Sequence, residues 1–396
     1  MTAFEGEVRR YLIGIMEQPK LYQKSESLWE IRHQQAADHR ILRRIEDLRA
    51  KLAQASDERR KIVLRACDDL LGLGAQIDGH RFTLRQHVTA EISRISDDDI
   101  SRYLFYRYRY DIFPLTKTVD GFPPCLQIEP TSICNYRCVF CYQTDSHLTD
   151  ARGGHMGMMS LDLFKKIVDE AEGQCEAITL ASRGEPLVCK DIVKMLSYLR
   201  GKFLGLKINT NASLLDEEKA HAILQAGPNT LVFSADAAEE PLYSQLRVNG
   251  KLERVVKNVE MFQKIRSLHY PTSRVITRVS GVRYSKDQNL DRMEAFWGGL
   301  VDQVAFVDYN PWENTYRRPV NDVETPCSDL WRRMFVWWDG TVNPCDVDYL
   351  STLSVGNVKD TELSSLWQGE KYSAYRESHL ARRRDRLSPC SRCTVV

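Results

Sequence analysis

Short apolar and β-branched segments alternate with longer segments of helical periodicity from about residue 122 onward. The pattern predicts six strands, over residues 125–129, 177–181, 205–209, 230–235, 274–280 and 303–308. It predicts helices in the intervals between them, over residues 160–172, 190–202, 216–225, 251–267 and 289–298. Because parallel strands need helical crossovers, this order predicts a parallel α/β sheet. Six such units can form an open or partly closed barrel.

The first 120 residues follow a different pattern, with apolar positions three and four apart among many charges. This spacing predicts an amphipathic helix within residues 25–56 and a second helix over residues 57–73. A tyrosine-rich segment follows at residues 102–110, with Tyr103, Tyr106, Tyr108 and Tyr110. It favours an aromatic seam packed on the next domain, and a lid over a substrate is the alternative.

Composition and charge limit the classes of function. Lys and Arg number 55 against 54 Asp and Glu, and the net charge of +1 attracts neither nucleic acid nor membrane. No apolar stretch reaches the ~20 residues of a membrane-spanning helix, and we see no signal-peptide core. We therefore expect a cytoplasmic protein without nucleic-acid or membrane partners. In that reducing compartment, clustered cysteines hold metal more often than they form disulfides.

The first cysteine group directly follows the first predicted strand. Cys134, Cys138 and Cys141 are spaced C-x3-C-x2-C at that strand's carboxyl end, where parallel α/β proteins place their sites. Three thiolates can ligate three irons of a four-iron cluster, so the fourth iron keeps an open position for a chelating ligand. A zinc site with a distant fourth ligand is the alternative.

This loop resembles the cluster-binding loop of the radical S-adenosylmethionine (radical SAM) superfamily, and later segments match that family in order across about residues 122–310. The resemblance implies that the cofactor S-adenosylmethionine (SAM) chelates the open iron of a 4Fe–4S cluster. One electron then cleaves its sulfonium bond and yields a 5′-deoxyadenosyl radical. The residues that the resemblance assigns to cofactor binding are Phe140, Gly184, Glu185, Pro186, Asn209, Asn211, Ser234 and Asp236.

Four positions in or near these motifs either depart from the family's pattern or allow two roles. Arg183 stands where the family's Gly-Gly-Glu-Pro motif has its first glycine, and Ala212 stands where the family's Asn-Thr-Asn-Gly motif has its last residue. Ser234 suits a ribose contact in the family, but a serine after a strand is also an ordinary helix cap. Arg247 is expected either to reach the cofactor carboxylate or to lie at the surface.

The second cysteine group follows a predicted linker at residues 319–326. Asp339-Gly340 between β-branched segments predicts a hairpin with a cysteine at its end. The four cysteines are Cys327, Cys345, Cys390 and Cys393, enough to ligate every iron of a second 4Fe–4S cluster. This segment resembles the twitch domain, a shortened SPASM domain, and a structural zinc site is the alternative.

The predicted fold class is α/β, with three parts. We expect a helical N-terminal extension over residues 1–120, a partial (β/α)6 radical SAM barrel over residues 121–320, and a small auxiliary-cluster domain over residues 321–396. The resemblance implies a radical SAM oxidoreductase with two 4Fe–4S clusters, one that binds SAM and one auxiliary. Its electron donor would be a flavodoxin or ferredoxin.

The substrate is the least constrained part of the prediction. A fully ligated second cluster suits electron transfer, so dehydrogenation of a sugar, cyclitol or nucleotide-linked sugar is favoured, with Asp308 as the candidate base. A thiol facing the barrel interior would instead indicate an epimerase. Residues 309–318 offer aromatic and arginine side chains to such a substrate, or else form a linker. The alternatives are a maturase of a ribosomally made peptide and a non-enzymatic iron–sulfur electron carrier.

Overall fold

The structure is a computed structural model, and it describes residues 21–22, 28–30, 38–52 and 57–396. Its helices are α1 (Asp38–Leu52), α2 (Glu58–Leu70), α3 (Gln86–Ile92), α4 (Asp97–Thr116), α5 (Ser146–Thr149), α6 (Leu161–Ala171), α7 (Ile192–Leu199), α8 (Glu217–Ala226), α9 (Leu242–Leu246), α10 (Leu252–His269), α11 (Leu290–Trp297), α12 (Leu363–Gln368) and α13 (Glu370–Leu380). Its strands are β1 (Leu28–Glu30), β2 (Cys125–Ile128), β3 (Arg137–Cys138), β4 (Ala177–Leu180), β5 (Gly205–Thr210), β6 (Thr230–Ser234), β7 (Arg247–Val248), β8 (Ile276–Arg283), β9 (Gln303–Asp308), β10 (Arg333–Val336), β11 (Thr341–Asn343) and β12 (Gly356–Asn357).

One sheet organises the chain, with strand order β1-β9-β8-β6-β5-β4-β2-β10-β11-β12. The six strands predicted from the sequence are β2, β4, β5, β6, β8 and β9, and each pairs in parallel with its neighbour. The helices between them supply the crossovers, so the predicted α/β class with a mostly parallel sheet is confirmed. The sheet then continues into the C-terminal segment, because β10 pairs in parallel with β2.

The two faces of this sheet differ in character. Side chains such as Leu206 and Ile208 of β5 join the main apolar core with helix residues such as Ile223 of α8. The alternate residues Lys207 and Asn209 point to the opposite face and line an internal cavity. Strands β2, β4, β6, β8 and β10 contribute to the same cavity. This curvature around a shared interior is that of the predicted partial barrel.

The N-terminal region matches the prediction only in part. The expected helix within residues 25–56 is wrong at Leu28–Glu30, which is a strand that pairs antiparallel with β9. Its later part is helical as α1, and residues 25–27, 31–37 and 53–56 of the prediction lie outside the described residues. The second predicted helix is confirmed as α2, followed by Gly72 with φ +75°.

The tyrosine-rich segment lies within α4 and is an aromatic seam rather than a lid. Tyr103, Tyr106 and Tyr108 are buried and pack in a second apolar cluster. That cluster includes Cys125 and Ala177, the first residues of β2 and β4. Helix α4 therefore covers the N-terminal end of the sheet, opposite to the end at which the cluster loop begins.

The C-terminal segment contains the predicted hairpin. Strands β10 and β11 pair antiparallel around a turn in which Gly340 has φ +89°, a conformation that favours glycine. Beyond β12, helices α12 and α13 pack back toward the sheet through buried Trp367 and Tyr372. In the part of the chain that the structure describes, no helix is long and apolar enough to cross a membrane.

Candidate active site

The predicted cluster loop lies at the carboxyl end of the parallel strands, over the interior of the partial barrel. Cys134, Cys138 and Cys141 all line one cavity of about 310 Å³ at the carboxyl end of the parallel strands, which we call the upper cavity. The loop is tied down by a short ribbon in which Cys138 of β3 pairs with Arg247 of β7. The backbone N–H of Tyr136 donates to the sulfur of Cys134 at 3.4 Å.

Burial keeps these thiols protonated in the absence of a metal. Burial raises the pKa of the Cys134 thiol to about 12, and burial also raises the pKa of Cys138 and Cys141. Such thiols stay protonated near neutral pH unless a metal cation stabilises the thiolate. Cluster insertion is therefore expected to release protons from this loop.

The predicted Gly-Glu-Pro motif lies beside the three cysteines. A Cβ atom at Gly184 would come within 2.3 Å of the carbonyl oxygen of Thr131, so only glycine fits. The Glu185 carboxylate is buried and fixed: Thr210 Oγ1 donates to it at 2.6 Å and the backbone N–H of Asn211 at 2.7 Å. Pro186 begins the short 3₁₀ turn that follows. Glu185 thus presents a rigid carboxylate to the upper cavity.

Arg183 has a defined role where the family has glycine. Its guanidinium donates to both oxygens of Glu129, from Nε at 2.8 Å and from Nη2 at 2.6 Å. Its Nη1 donates to the carbonyl oxygen of Tyr349 at 2.9 Å, and the guanidinium lies 4.3 Å from the Trp337 ring centre. Arg183 therefore ties the predicted cofactor loop to the C-terminal segment.

Ala212 stands in place of the family's glycine at a position where the backbone is left-handed. Its φ is +60°, in the left-handed region where the family's glycine is free of steric cost. An alanine there costs about 1–2 kcal/mol. The third-strand loop therefore holds Ala212 in a backbone conformation that would suit glycine better.

The other predicted cofactor residues divide into two groups. Phe140, Asn209 and Ser234 line the upper cavity, and Asn209 Oδ1 is a buried atom without a hydrogen-bond partner in the structure. Asn211 also lines this cavity, but its side chain is occupied by hydrogen bonds with Asn135 and Ser213. An unpartnered acceptor aimed into a cavity next to three cysteines fits a site for a polar cofactor.

Arg247 lines the upper cavity and forms a buried pair with Asp236, which does not line it. Arg247 Nε lies 2.5 Å from Asp236 Oδ2, and Arg247 Nη1 lies 3.8 Å from the sulfur of Cys138. The surface alternative for Arg247 is wrong, since its side chain is only 8% exposed. Asp236, at 0% exposure, orients this arginine and also accepts from the backbone N–H of Val282 at 2.6 Å.

Asp308, the candidate base, lies at the rim of the upper cavity. It ends β9, and its Oδ1 accepts a hydrogen bond from Arg283 Nε at 2.9 Å. Tyr309, Asn310 and Trp312 continue the rim, so residues of the 309–318 segment do face the cavity. Trp312 also packs on the C-terminal segment against Cys327 and Val347, so the start of this segment both faces the cavity and connects to the auxiliary-cluster domain.

The second cysteine group surrounds its own cavity. Cys327, Cys345, Cys390 and Cys393 line a single enclosed, largely apolar space in the C-terminal segment. Backbone N–H groups donate to two of the sulfurs, Val347 to Cys345 at 3.2 Å and Val395 to Cys393 at 3.4 Å. Such N–H···S bonds are the kind that cluster thiolates accept.

Two further donors at this cavity have no partner of their own. Burial and the nearby Arg384 lower the pKa of His379 to about 3, and its Nδ1 accepts from the backbone N–H of Cys327 at 3.1 Å. The ring hydrogen is therefore on Nε2, which is buried and unpartnered, as is Nε of Arg384. Buried donors around four thiols fit the sulfide-rich surface of an iron–sulfur cluster.

The described residues contain no group of three His, Cys, Asp or Glu side chains close enough to hold a single metal ion. Both cysteine sets are spread around cavities instead. Comparison with known proteins decides between the possible metal groups. Residues 128–290 match the Radical SAM superfamily, and residues 327–394 match the iron–sulfur cluster-binding domain called SPASM.

The chain belongs to the radical SAM superfamily. This radical SAM enzyme therefore uses 4Fe–4S clusters and SAM. The assignment leaves no support for a non-enzymatic electron carrier. It also shows that the signals in the two cysteine groups and the Gly-Glu-Pro segment were sufficient to identify the chemistry.

Relatives and structures similar to this chain differ in what they act on. A tungsten-containing aldehyde ferredoxin oxidoreductase cofactor-modifying protein from Pyrococcus furiosus is 25% identical over 300 residues, covering 63% of this chain and 82% of that protein. The mycofactocin maturase MftC from Mycolicibacterium smegmatis is 26% identical over 189 residues, covering 46% and 44%. The structure of SuiB from Streptococcus suis bound to the precursor peptide SuiA aligns over 70% of this chain and 72% of SuiB, with 16% identity and a TM-score of 0.50. That likeness supports the fold alone.

Sequence reasoning missed the polar residues deeper in the barrel. A second cavity of about 430 Å³, the lower cavity, is lined by Gln127, Thr179, Lys207, Arg278 and Arg333 from the strands. Tyr106, Arg107, Tyr110 and Asp111 of α4 line it from below. Charged residues in the middle of strands that otherwise read as buried were the available signal.

Proposed function

We propose that this radical SAM enzyme acts on a small polar molecule, a sugar, cyclitol or nucleotide-linked sugar, which it dehydrogenates or epimerises. The observation that carries the proposal is the lower cavity, a space of about 430 Å³ lined by polar side chains of the strands and of α4. It adjoins the upper cavity, since Ser182, Asn209, Ser234 and Ser280 line both. A compact molecule in the upper cavity can therefore extend between the strands into the lower cavity.

Helix α4 lines the far side of the lower cavity. A Cβ atom on Gly205, the first residue of β5, would lie 3.2 Å from Tyr106 Cε1, so the helix is packed directly on the strand ends. The Tyr110 hydroxyl accepts from Arg333 Nε at 3.0 Å, which joins the same helix to β10. A floor packed in this way favours a small substrate over a long extended peptide.

The walls between the two cavities suit a hydroxylated molecule. Ser182 Oγ and Asn209 Oδ1 are buried and unpartnered, so each gains a partner from a bound hydroxyl group. Tyr309 and Trp312 stand at the rim and can stack on a sugar face. These groups would orient a substrate without adding charge.

When bound, SAM and its cluster would supply a 5′-deoxyadenosyl radical for hydrogen abstraction, and the auxiliary cluster would accept one electron during net two-electron oxidation of an alcohol. Asp308 at the rim is our candidate for taking the hydroxyl proton. In the epimerase alternative, Cys125 is the thiol that faces the lower cavity and could return a hydrogen atom. Substituting it by alanine should abolish epimerisation and leave dehydrogenation intact.

The proposal is tested by incubating the reconstituted, reduced enzyme with candidate sugars and SAM in deuterated water. Formation of 5′-deoxyadenosine that rises with one sugar, together with an oxidised product, supports dehydrogenation. Deuterium at carbon in an otherwise unchanged product supports epimerisation. If no sugar or cyclitol raises 5′-deoxyadenosine formation above its basal level, the proposed substrate class is wrong.

Peptide maturation is the second candidate, and a relative favours it, because MftC is named as a mycofactocin maturase. Many peptide-modifying members of the superfamily carry a small winged-helix domain, whereas the described N-terminal residues form helices α1–α4 and a single short strand. Stimulation of 5′-deoxyadenosine formation by a precursor peptide, and not by sugars, would establish this alternative.

The cellular setting is part of the same proposal. We propose that the enzyme works in the cytoplasm and receives its electrons from a flavodoxin or ferredoxin. The eleven unpaired cysteines suit a reducing compartment. Replacement of dithionite by a reduced flavodoxin should support 5′-deoxyadenosine formation, and failure with both flavodoxin and ferredoxin would contradict it.

A further inference from the structure

Two basic side chains face the cavity of the second cysteine group from the C-terminal end of α13. His379 lies in the last turn of that helix, and Arg384 begins the 3₁₀ turn that follows it. Both line the cavity together with the four cysteines, and they are only 1% and 2% exposed. Because such side chains are rarely buried without partners, their hydrogen-bonding state shows what the cavity is built to hold.

The hydrogen bond at one ring nitrogen of His379 fixes the state of the other. Nδ1 accepts from the backbone N–H of Cys327 at 3.1 Å, so this nitrogen carries no hydrogen. The ring hydrogen is then on Nε2, which is buried and has no hydrogen-bond partner. A metal-ligating histidine has the reverse arrangement, in which the nitrogen away from the metal donates. His379 is therefore a donor at this cavity and not a ligand.

Arg384 is held in place by neutral groups. Its Nη1 donates to the carbonyl oxygens of Thr325 at 2.8 Å and Val395 at 3.1 Å, and its Nη2 donates to that of Cys393 at 2.9 Å. These bonds engage both terminal nitrogens and leave the buried Nε without a hydrogen-bond partner. Within the described part of the chain, no carboxylate forms an ion pair with this guanidinium.

The arginine two residues earlier shows that this burial is specific. Arg382 is 75% exposed and lies 3.5 Å from Glu324 at the surface. Arg384 belongs to the same basic segment, but its charge is directed inward to a cavity lined by four thiols. A buried cation that is bonded only to carbonyl oxygens is costly unless an anion lies beside it. The cavity is therefore suited to an anionic group.

Two acidic residues, Asp329 and Asp348, also line the cavity. The Asp348 carboxylate accepts from the Tyr316 hydroxyl at 2.6 Å and from the backbone N–H of Leu353 at 2.8 Å. Negative charge on these two side chains would act against that of Arg384 at a bound cluster. Both acids are retained in every variant described below, so the effect of removing Arg384 keeps its sign.

We propose that His379 Nε2 and Arg384 Nε donate hydrogen bonds to sulfur atoms of the auxiliary cluster and thereby raise its reduction potential. Four thiolates outweigh the charge of the iron–sulfide core, so the ligated cluster is an anion, and one-electron reduction adds a further negative charge. A fixed cation and N–H donors stabilise the reduced state more than the oxidised state. The two side chains would thus make the cluster a better electron acceptor. This inference requires the auxiliary cluster but no particular substrate.

The test is a redox titration of the reconstituted holoenzyme, followed by electron paramagnetic resonance. The auxiliary cluster is identified as the one whose signal SAM leaves unchanged. At a fixed solution potential, Arg384→Met should lower the ratio of reduced to oxidised auxiliary cluster about tenfold, a shift of about 59 mV for one electron. The matched control Arg382→Met replaces an exposed arginine and should leave the ratio unchanged. Equal midpoint potentials for wild type and Arg384→Met would overturn the role of Arg384.

Two variants of His379 separate its Nε2 donor from its Nδ1 acceptor. The side-chain oxygen of asparagine can replace Nδ1, whereas the longer glutamine can place an amide N–H near the position of Nε2. His379→Asn should therefore lower the same ratio about threefold, and His379→Gln should restore part of this loss. A midpoint potential in His379→Asn equal to that of the wild type, or a larger loss in His379→Gln, would overturn the role of His379.

A measurement on the unaltered chain keeps the test decisive if Arg384→Met does not assemble the cluster. Wild-type holoenzyme is labelled with ¹⁵N in arginine alone or in histidine alone, reduced, and studied by pulsed electron paramagnetic resonance. A hydrogen bond to the cluster transfers spin density to the donor nitrogen, so each label should give a ¹⁵N coupling on the auxiliary signal. A label without such a coupling overturns the corresponding donor.

The outcome is separable from that of the proposed function. Shifted potentials in the variants, combined with no stimulation of 5′-deoxyadenosine formation by any sugar, would leave the two donors in place and refute the sugar class. Stimulation by a sugar, combined with unchanged potentials in Arg384→Met and His379→Asn, would refute this inference alone.

Discussion

The buried pair of Arg183 and Glu129 provides the sharpest test of how the cofactor loop is held. Arg183 is 2% exposed and Glu129 is 0% exposed. Replacing Arg183 by methionine removes both of its hydrogen bonds to the carboxylate, its bond to Tyr349 and its stacking on Trp337, and it leaves the Glu129 charge buried. Breaking a buried pair from one side costs about 3–5 kcal/mol.

For Arg183→Met we expect a cost at the lower end of the range of about 3–5 kcal/mol. Glu129 keeps two backbone donors after the substitution, the N–H of residue 183 at 3.0 Å and the N–H of Trp338 at 3.3 Å. We therefore expect Arg183→Met to lower the free energy of unfolding by about 3 kcal/mol. The double variant Arg183→Met/Glu129→Gln leaves no unpaired charge, so it should lose less than Arg183→Met alone.

The assay is urea unfolding of the wild type, both single variants and the double variant under anaerobic conditions. Arg152→Met is a matched control, because Arg152 is 92% exposed and pairs with Asp150 only at the surface. It should change stability by less than about 0.5 kcal/mol. A loss of under 1 kcal/mol for Arg183→Met, or strictly additive single effects, would refute the reasoning.

Three further predictions concern separate parts of the molecule. Lys207→Met should stabilise the protein at pH 7 by at most about 3 kcal/mol, because the lowered pKa disfavours the charged lysine in the folded state. This gain in stability should shrink as pH rises from about 8 toward 10.5, because the lysine of the unfolded state then also loses its proton. Thermal unfolding measured across this pH range checks the prediction, and a variant less stable than the wild type at pH 7 would contradict it. Cys345→Ser should remove about half of the iron and labile sulfide measured after reconstitution while SAM still alters the remaining cluster's spectrum; unchanged iron content would contradict the ligand set. Gly184→Ala should weaken SAM binding more than tenfold in equilibrium dialysis, since the new methyl group meets the Thr131 carbonyl at 2.3 Å, and unaltered binding would contradict the described loop.

Local patterns identified the sheet because each central strand alternates or is uniformly apolar over four or more residues. They failed at β1, where the three residues Leu28–Glu30 show no period and pair with β9 across most of the chain. They also gave no sign that β10 would extend the sheet beside β2. Pairings between distant strands depend on tertiary packing, which a short window of sequence does not contain.

The residues of the site likewise divide into those that a local sequence pattern could identify and those that it could not. The cysteine spacings and the Gly-Glu-Pro segment are local, so they could be recognised directly. The partner of Arg183 lies 54 residues earlier, and its second contact lies 166 residues later, so its structural role had no local signal. Lys207 and Arg278 did carry a signal, as charges within strands otherwise buried, which marks a polar interior.

Electron paramagnetic resonance of the anaerobically reconstituted and reduced enzyme, recorded with and without SAM, tests the central claim most directly. The account predicts that SAM changes the signal of one cluster, that this response disappears in Cys138→Ala, and that it persists in Cys345→Ser. A spectrum that SAM leaves unchanged, or a response that survives in Cys138→Ala, would contradict it.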